Sequence, residues 1–517
     1  MKYYSRLLLY FFLMAHFQSS AQQIDLKNYK PLKSEGAIPN DFISSFSKKY
    51  EEGKTQIVDE KKRSIRKSKD EFLVSSSFYL NELLRSGKVL FGDPVTNYVN
   101  DVADVLLKDF PELREQLRFY TTKSPQVNAF STDQGIIFVN LGLIAQVENE
   151  AQLAYVIAHE IIHFVKKHNM ELYVFTDKLE RKSNVGKRTN YEGLMLNKSF
   201  RSKESEFESD REGLTSYFLK TGYSLKSVNS AFDVLLYSYL PFDEVPFEKS
   251  FFETSFFHFP ANYILDSLSA VDAEKYLNEE SATHPSIYKR RETMLGLINE
   301  QKKDAGKEFI LSESRFREVQ NLARFESVRL KIIDMKYISA LYDCFLLLKT
   351  FPDNRFLEIS KAACLYSLSR YKTEWKTASQ TSYKKIQGES QQIFYFLQKL
   401  NKKELNILAL ATCWRAKQKF SDSEYLKLIC EELIEDLALA NKTKFSYFLT
   451  ESPTDSARII ENAIDTTSKS KYDKIKAKQK KSGFDGDFLR TAMIDIINDT
   501  AFISEYKRIE ALSNENE

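Results

Sequence analysis

Residues 151–167 read AQLAYVIAHEIIHFVKK. Apolar side chains at Leu153, Val156, Ile157, Ile161, Phe164 and Val165 recur with a helical period, and neither Pro nor Gly interrupts them. The stretch is predicted to be a helix. On it His159 and His163 lie one turn apart on one face, so both imidazoles can reach a single metal ion. Glu160 projects beside that face, where its carboxylate can take a proton from water at the metal. A core helix with two merely hydrogen-bonded His is the competing reading. The chain has only six His among its 517 residues, which makes a chance match to this pattern uncommon.

A catalytic zinc takes three protein ligands and keeps one position for water. The third ligand is sought in the acidic stretch Lys203 to Gly213. Glu206 and Asp210 are four apart and share a helix face, so one can bind the metal while the other orients a ligating His through its free ring N–H. Glu204 and Glu208 compete, and spacing alone does not exclude them. His168 is not a ligand candidate. An arrangement with a third His needs Gly three residues after the second His and His three further on, and those positions hold Lys166 and Asn169. His168 is read as a helix-end residue near the C-terminal dipole.

Further motifs surround these. Gly92-Asp93-Pro94 leads a helix, and Val127-Asn128-Ala129-Phe130 precedes a strand at Gly135-Ile136-Ile137-Phe138-Val139, followed by Gly142-Leu143. Glu206-Phe207-Glu208-Ser209-Asp210 is followed by Gly213, and Thr283-His284-Pro285 stands six residues before Arg290 at its His. In this order, over about residues 75–300, the chain resembles the HtpX-type zinc endopeptidases. It is closest to their periplasmic, tetratricopeptide-bearing BepA-like branch. The resemblance implies a zincin-like peptidase domain and one Zn2+ held by His159, His163 and Glu206. It makes Glu160 the general base of peptide hydrolysis and gives His284 and Arg290 the oxyanion. It also implies that the strand with Gly135, Ile136, Ile137 and Phe138, and Asn128 before it, pairs with an extended substrate. Four consecutive apolar residues suit a buried strand equally well. The family usually has Ala where this chain has Ser209.

Composition bounds the rest. A net charge of +3 implies neither a nucleic-acid footprint nor an acidic partner. Lys2 and Arg6, the apolar run Leu7 to Phe17, and Ser19-Ser20-Ala21 form a secretion signal. No later segment has eighteen consecutive apolar residues, so no transmembrane segment is expected in an exported chain placed in the periplasm. Cys344, Cys364, Cys413 and Cys430 match no metal spacing and are read as buried thiols.

A mainly α fold follows, with a small sheet in the peptidase part. The divisions are a signal peptide at 1–21, a polar arm at 22–70, a zinc metallopeptidase domain at 71–300, helical repeats at 310–445, and a Lys-rich linker with a final helix at 446–517. Phe242 to Tyr263, dense in aromatics, reads as a packed irregular segment, with a lid as the alternative. Tyr337, Ala340 and Pro352 sit at tetratricopeptide packing positions, and Tyr371 falls thirty-four residues after Tyr337. Such helix pairs offer a concave surface to unfolded protein. The leading expectation is an exported zinc endopeptidase acting on misfolded or unassembled envelope proteins, a substrate class implied by the resemblance alone. The alternative is a chaperone or assembly adaptor with a latent zinc site.

Overall fold

A computed structural model describes residues 24–57, 60–183, 203–274, 287–301, 306–374, 381–449 and 486–514. The signal-peptide region, the His284 loop and the Lys-rich stretch lie outside them. The architecture is mainly α with one small sheet, as expected. The elements that position the site are α1 (Arg63–Arg85), β1 (Val89–Leu90), α2 (Pro94–Leu106), β2 (Arg118–Thr122), β3 (Ala129–Ser131), β4 (Ile136–Asn140), α3 (Glu150–Val165) and α4 (His168–Ser183). They are followed by α5 (Lys203–Glu212), α6 (Lys226–Leu236), α7 (Ile287–Glu300) and α8 (Glu313–Ile333).

The sheet order is β1-β2-β4-β3, with β4 parallel to β2 and antiparallel to β3. All five residues of β4 are buried. The expected substrate-pairing strand is therefore interior, and both of its edges are taken. Its consecutive apolar side chains fill cores on the two faces of the sheet, which is the pattern of an inner strand. Gly135 belongs to the turn into β4: its φ is +76°, and a Cβ there would stand 2.4 Å from the Gln116 carbonyl oxygen. Only glycine fits this turn.

The predicted helix over 151–167 forms as α3. Asn149 caps its N-terminus by accepting from the Gln152 N–H at 3.0 Å. Behind the cap, the buried Glu150 carboxylate accepts from the Tyr98 and Tyr223 hydroxyls and from the Ile310 and Leu311 N–H groups. Leu153, Ile157 and Ile161 are fully buried, each contributing roughly 1.5–3 kcal/mol. The helix is covered almost all round, as its high apolar content requires.

Packing crosses several of the divisions drawn from sequence. The polar arm is in part a packed strap: Leu32 N–H and the Tyr29 hydroxyl both bond to Glu326 of α8, and Asn354 donates to the Leu26 carbonyl at 2.7 Å. Helix α8, expected among the repeats, places Phe316, Val319, Leu322 and Ala323 in the peptidase core. In the opposite direction, Phe247, Phe252, Phe257, Phe259 and Tyr263 are buried among the C-terminal helices, with Phe252 stacked on Phe396 at 5.3 Å. The aromatic stretch is core rather than lid.

The C-terminal half packs helix against helix: α9 (Tyr337–Thr350), α10 (Arg355–Glu374), α11 (Gln391–Lys399), α12 (Lys402–Lys419), α13 (Glu424–Glu435) and α14 (Thr500–Asn514). Tyr337 opens α9, whereas Tyr371 lies near the end of α10, so the thirty-four-residue spacing does not join equivalent positions. All four Cys are buried free thiols.

One buried carboxylate ties the sheet to α4. Asp133, in the turn between β3 and β4, is 2% exposed, and burial pushes its pKa up to about 7 against the opposing influences of Lys167, the Met170 N–H and the Asn169 side chain. A carboxyl with a raised folded-state pKa binds its proton more tightly than in the unfolded chain, so it lowers stability as pH rises. Between about pH 4 and pH 7, stability is expected to fall with rising pH through this group, and Asp133→Asn should flatten that slope in urea unfolding at stepped pH.

Candidate active site

The site is built from three helices that meet over the C-terminal half of α3. His159 and His163 come from α3, Glu206 and Asp210 from α5, and Arg290 from α7. Close approach of α5 to α3 depends on Gly213, where a Cβ would meet the Ala158 and His159 backbone at 3.1 Å. The backbone turns π-helical at that residue, Gly213–Tyr217.

The Nε2 atoms of His159 and His163 face each other at 2.9 Å. Glu206 Oε1 lies 3.4 Å from His163 Nε2, and Glu206 Oε2 lies 3.7 Å from His159 Nε2. One donor atom from each of the three lies within 4.8 Å of the others, and all three residues are buried. Two imidazole nitrogens and a carboxylate oxygen are the donor set a catalytic zinc takes.

Hydrogen bonding behind the rings selects the form a ligand needs. His159 Nδ1 is 2.8 Å from Asp210 Oδ1. An ionised carboxylate only accepts, so the proton sits on Nδ1 and the Nε2 lone pair faces the cluster. His163 Nδ1 is 2.9 Å from His168 Nδ1, and His168 Nε2 is 3.1 Å from Glu208 Oε2. Glu160 is buried on α3 between the two His, at 3% exposure.

Arg290 holds the two carboxylates. Its Nε and one terminal nitrogen bond Asp210 at 2.6 and 2.8 Å, and the other terminal nitrogen stands 2.7 Å from Glu206 Oε2. Burial pushes both carboxyls up, but the Arg290 charge together with the His partners outweighs it. Glu206 is held well below the ordinary carboxylate value and Asp210 below its own. The sequence reading gave Arg290 an oxyanion role, whereas three of its donors are turned to acidic side chains at the site.

Other expectations change as well. Glu204 is exposed and outside the cluster. Glu208 faces Lys166 at 3.0 Å and His168 at 3.1 Å, not the ligand atoms. His168 does not end the helix of the two His; it opens the next one and returns beside His163. Spacing had no signal for that, because it needs the chain to break between the two residues. Asn128 is half-buried just before β3, and His284 lies outside the described residues.

β3 ends the sheet on the side of β4, and its three residues are buried. Asn128 and Thr132 bond toward β4, through Asn140 N–H to the Asn128 carbonyl and Thr132 N–H to the Ile136 carbonyl. By the antiparallel alternation, Ala129 and Ser131 turn their backbone groups outward. The outward Ser131 carbonyl accepts from Asn169 Nδ2 at 3.0 Å, one residue beyond His168.

A buried helix with paired His, a facing carboxylate helix and a small mixed sheet define a metallopeptidase scaffold. Residues 95–298 match the model of peptidase family M48. The chain is 29% identical over 99 residues to the beta-barrel assembly-enhancing protease of Yersinia pestis, covering 19% of this chain and 20% of that protein. It is 30% identical over 92 residues to the protein of the same name from Escherichia coli strain K12, covering 18% and 19%. The chain thus spans about a fifth of the length of these relatives.

Removing the guanidinium would leave two buried acidic groups without their shared counter-charge. Arg290→Met is expected to destabilise the metal-free protein by about 3–5 kcal/mol in urea unfolding. Arg290→Lys should recover only part of that loss, because an ammonium cannot span both carboxylates as a planar fork does.

Proposed function

We propose that this chain is an exported zinc-dependent endopeptidase that degrades misfolded or unassembled envelope proteins. The observation that carries the reading is the convergence of His159, His163 and Glu206 donor atoms in a buried cluster. The M48 match over the same region supports it, and the name shared by the relatives supports an envelope role. Among the described residues, no helix is long and apolar enough to cross a membrane.

Zinc bound there would supply a Lewis acid that polarises the scissile carbonyl and acidifies water. His159 and His163 would hold the zinc through Nε2, and Glu206 offers Oε1 while Arg290 occupies Oε2. Glu160 takes the proton of the attacking water and delivers it to the leaving amine. Asp210 keeps His159 in its ligating tautomer. His284 remains the proposed oxyanion donor. Arg290 instead positions the carboxylates.

The substrate backbone is proposed to pair with the outward N–H and carbonyl of Ala129 and the outward N–H of Ser131 on β3, while the Ser131 carbonyl is held by Asn169. Strand pairing makes little demand on side-chain sequence, which suits a peptidase for unfolded chains. The C-terminal helices are proposed to be tetratricopeptide-like and to recruit substrates or partner proteins.

Glu160→Gln should retain one zinc per chain yet lose casein cleavage by at least 100-fold; cleavage equal to wild type would reject the assigned base. Ala129→Pro removes one outward N–H from β3 and should raise KM for unfolded substrates while zinc content stays unchanged.

A further inference from the structure

We propose that His168 is a positioning residue for zinc binding: it accepts the Nδ1 proton of His163 and is itself oriented by Glu208. The inference rests on the zinc reading above and adds a residue that does not touch the metal.

Backbone geometry brings the two rings together. In a continuous helix, a residue five positions after His163 would point about 140° away from it. Here α3 stops at Val165, Lys167 takes a left-handed conformation at φ 54°, and α4 begins at His168. This tight reversal returns the His168 ring to His163, with centroids 4.9 Å apart and planes 77° to each other. The His168 side chain is only 9% exposed.

The protons then follow one consistent path. To ligate through Nε2, neutral His163 must carry its proton on Nδ1. Its partner at 2.9 Å, His168 Nδ1, must therefore accept. Neutral His168 then bears its own proton on Nε2, which points at Glu208 Oε2 at 3.1 Å. Glu208 is held in turn by Lys166 at 3.0 Å, and Lys166 also bonds Glu212 at 2.8 Å. The Ser209 hydroxyl lies 3.3 Å from the same His168 Nδ1. Each ligating imidazole thus has an acceptor behind it: Asp210 for His159, His168 for His163.

The test measures zinc affinity of the full chain by chelator competition, alongside thermal unfolding of the metal-free proteins. His168→Leu should bind zinc roughly 10–100-fold more weakly than wild type. His168→Asn, whose Oδ1 replaces the ring acceptor, should recover most of that affinity, and Glu208→Ala should lose several-fold. If His168→Leu unfolds, the Asn and Glu208 variants decide. Wild-type affinity in His168→Leu or in Glu208→Ala overturns the proposal, as does an Asn variant that is folded and no better than Leu. A wild type that binds no zinc sinks the zinc reading itself, whereas a tight wild type with indifferent variants sinks only this inference.

Discussion

Two carboxylates, Glu206 and Asp210, are buried one turn apart on the same helix, and one guanidinium makes that burial tolerable. Like charges so placed would otherwise drive one another to protonate. Arg290 spans both, keeps them ionised, and leaves each with a different free task. Asp210 turns an oxygen to His159, and Glu206 turns one toward the two Nε2 atoms. The donor cluster exists in this form because α7 delivers that arginine between α5 and the Phe232 ring of α6, 5.8 Å from its centroid.

The rings of the site are organised by what lies behind them. A histidine becomes a ligand only when its far nitrogen carries the proton, and that nitrogen needs an acceptor. On one side the acceptor is a carboxylate from α5, and on the other it is a neutral imidazole from α4. The same α4 start anchors the β3 edge through Asn169 and the β3–β4 turn through Asp133. Metal site and sheet edge therefore share one short segment, 166–170, and its left-handed residue at Lys167 sets the distance between them.

The two halves of the molecule are not beads on a string. Helix α8 completes the peptidase core, and the aromatic stretch around Phe247 to Tyr263 completes the helical one. This exchange carries packing across the boundary that the change to paired helices near 310 suggests. Amphipathic period shows that a segment is half-buried but carries no address for its partner. The same limit hid the role of the N-terminal strap, whose Tyr29 and Leu32 meet Glu326 almost three hundred residues away.

Local geometry explains what could be read without coordinates. Residues four apart on a helix share a face whatever surrounds them, so the pairings His159 with His163 and Glu206 with Asp210 were written into the chain. Uninterrupted apolar spacing likewise set out α3 and the mainly α character. Only the tertiary structure decided which acidic residue turns inward, what Arg290 grips, that β3 rather than β4 is the sheet edge, and that His168 stands behind His163. Some of those outcomes depend on side chains 40 to 80 positions apart coming within hydrogen-bond distance, as Glu208 does with His168 and Arg290 with Asp210. Spacing along a chain holds no information about such approaches; packing, glycine-sized gaps and charge balance determine them.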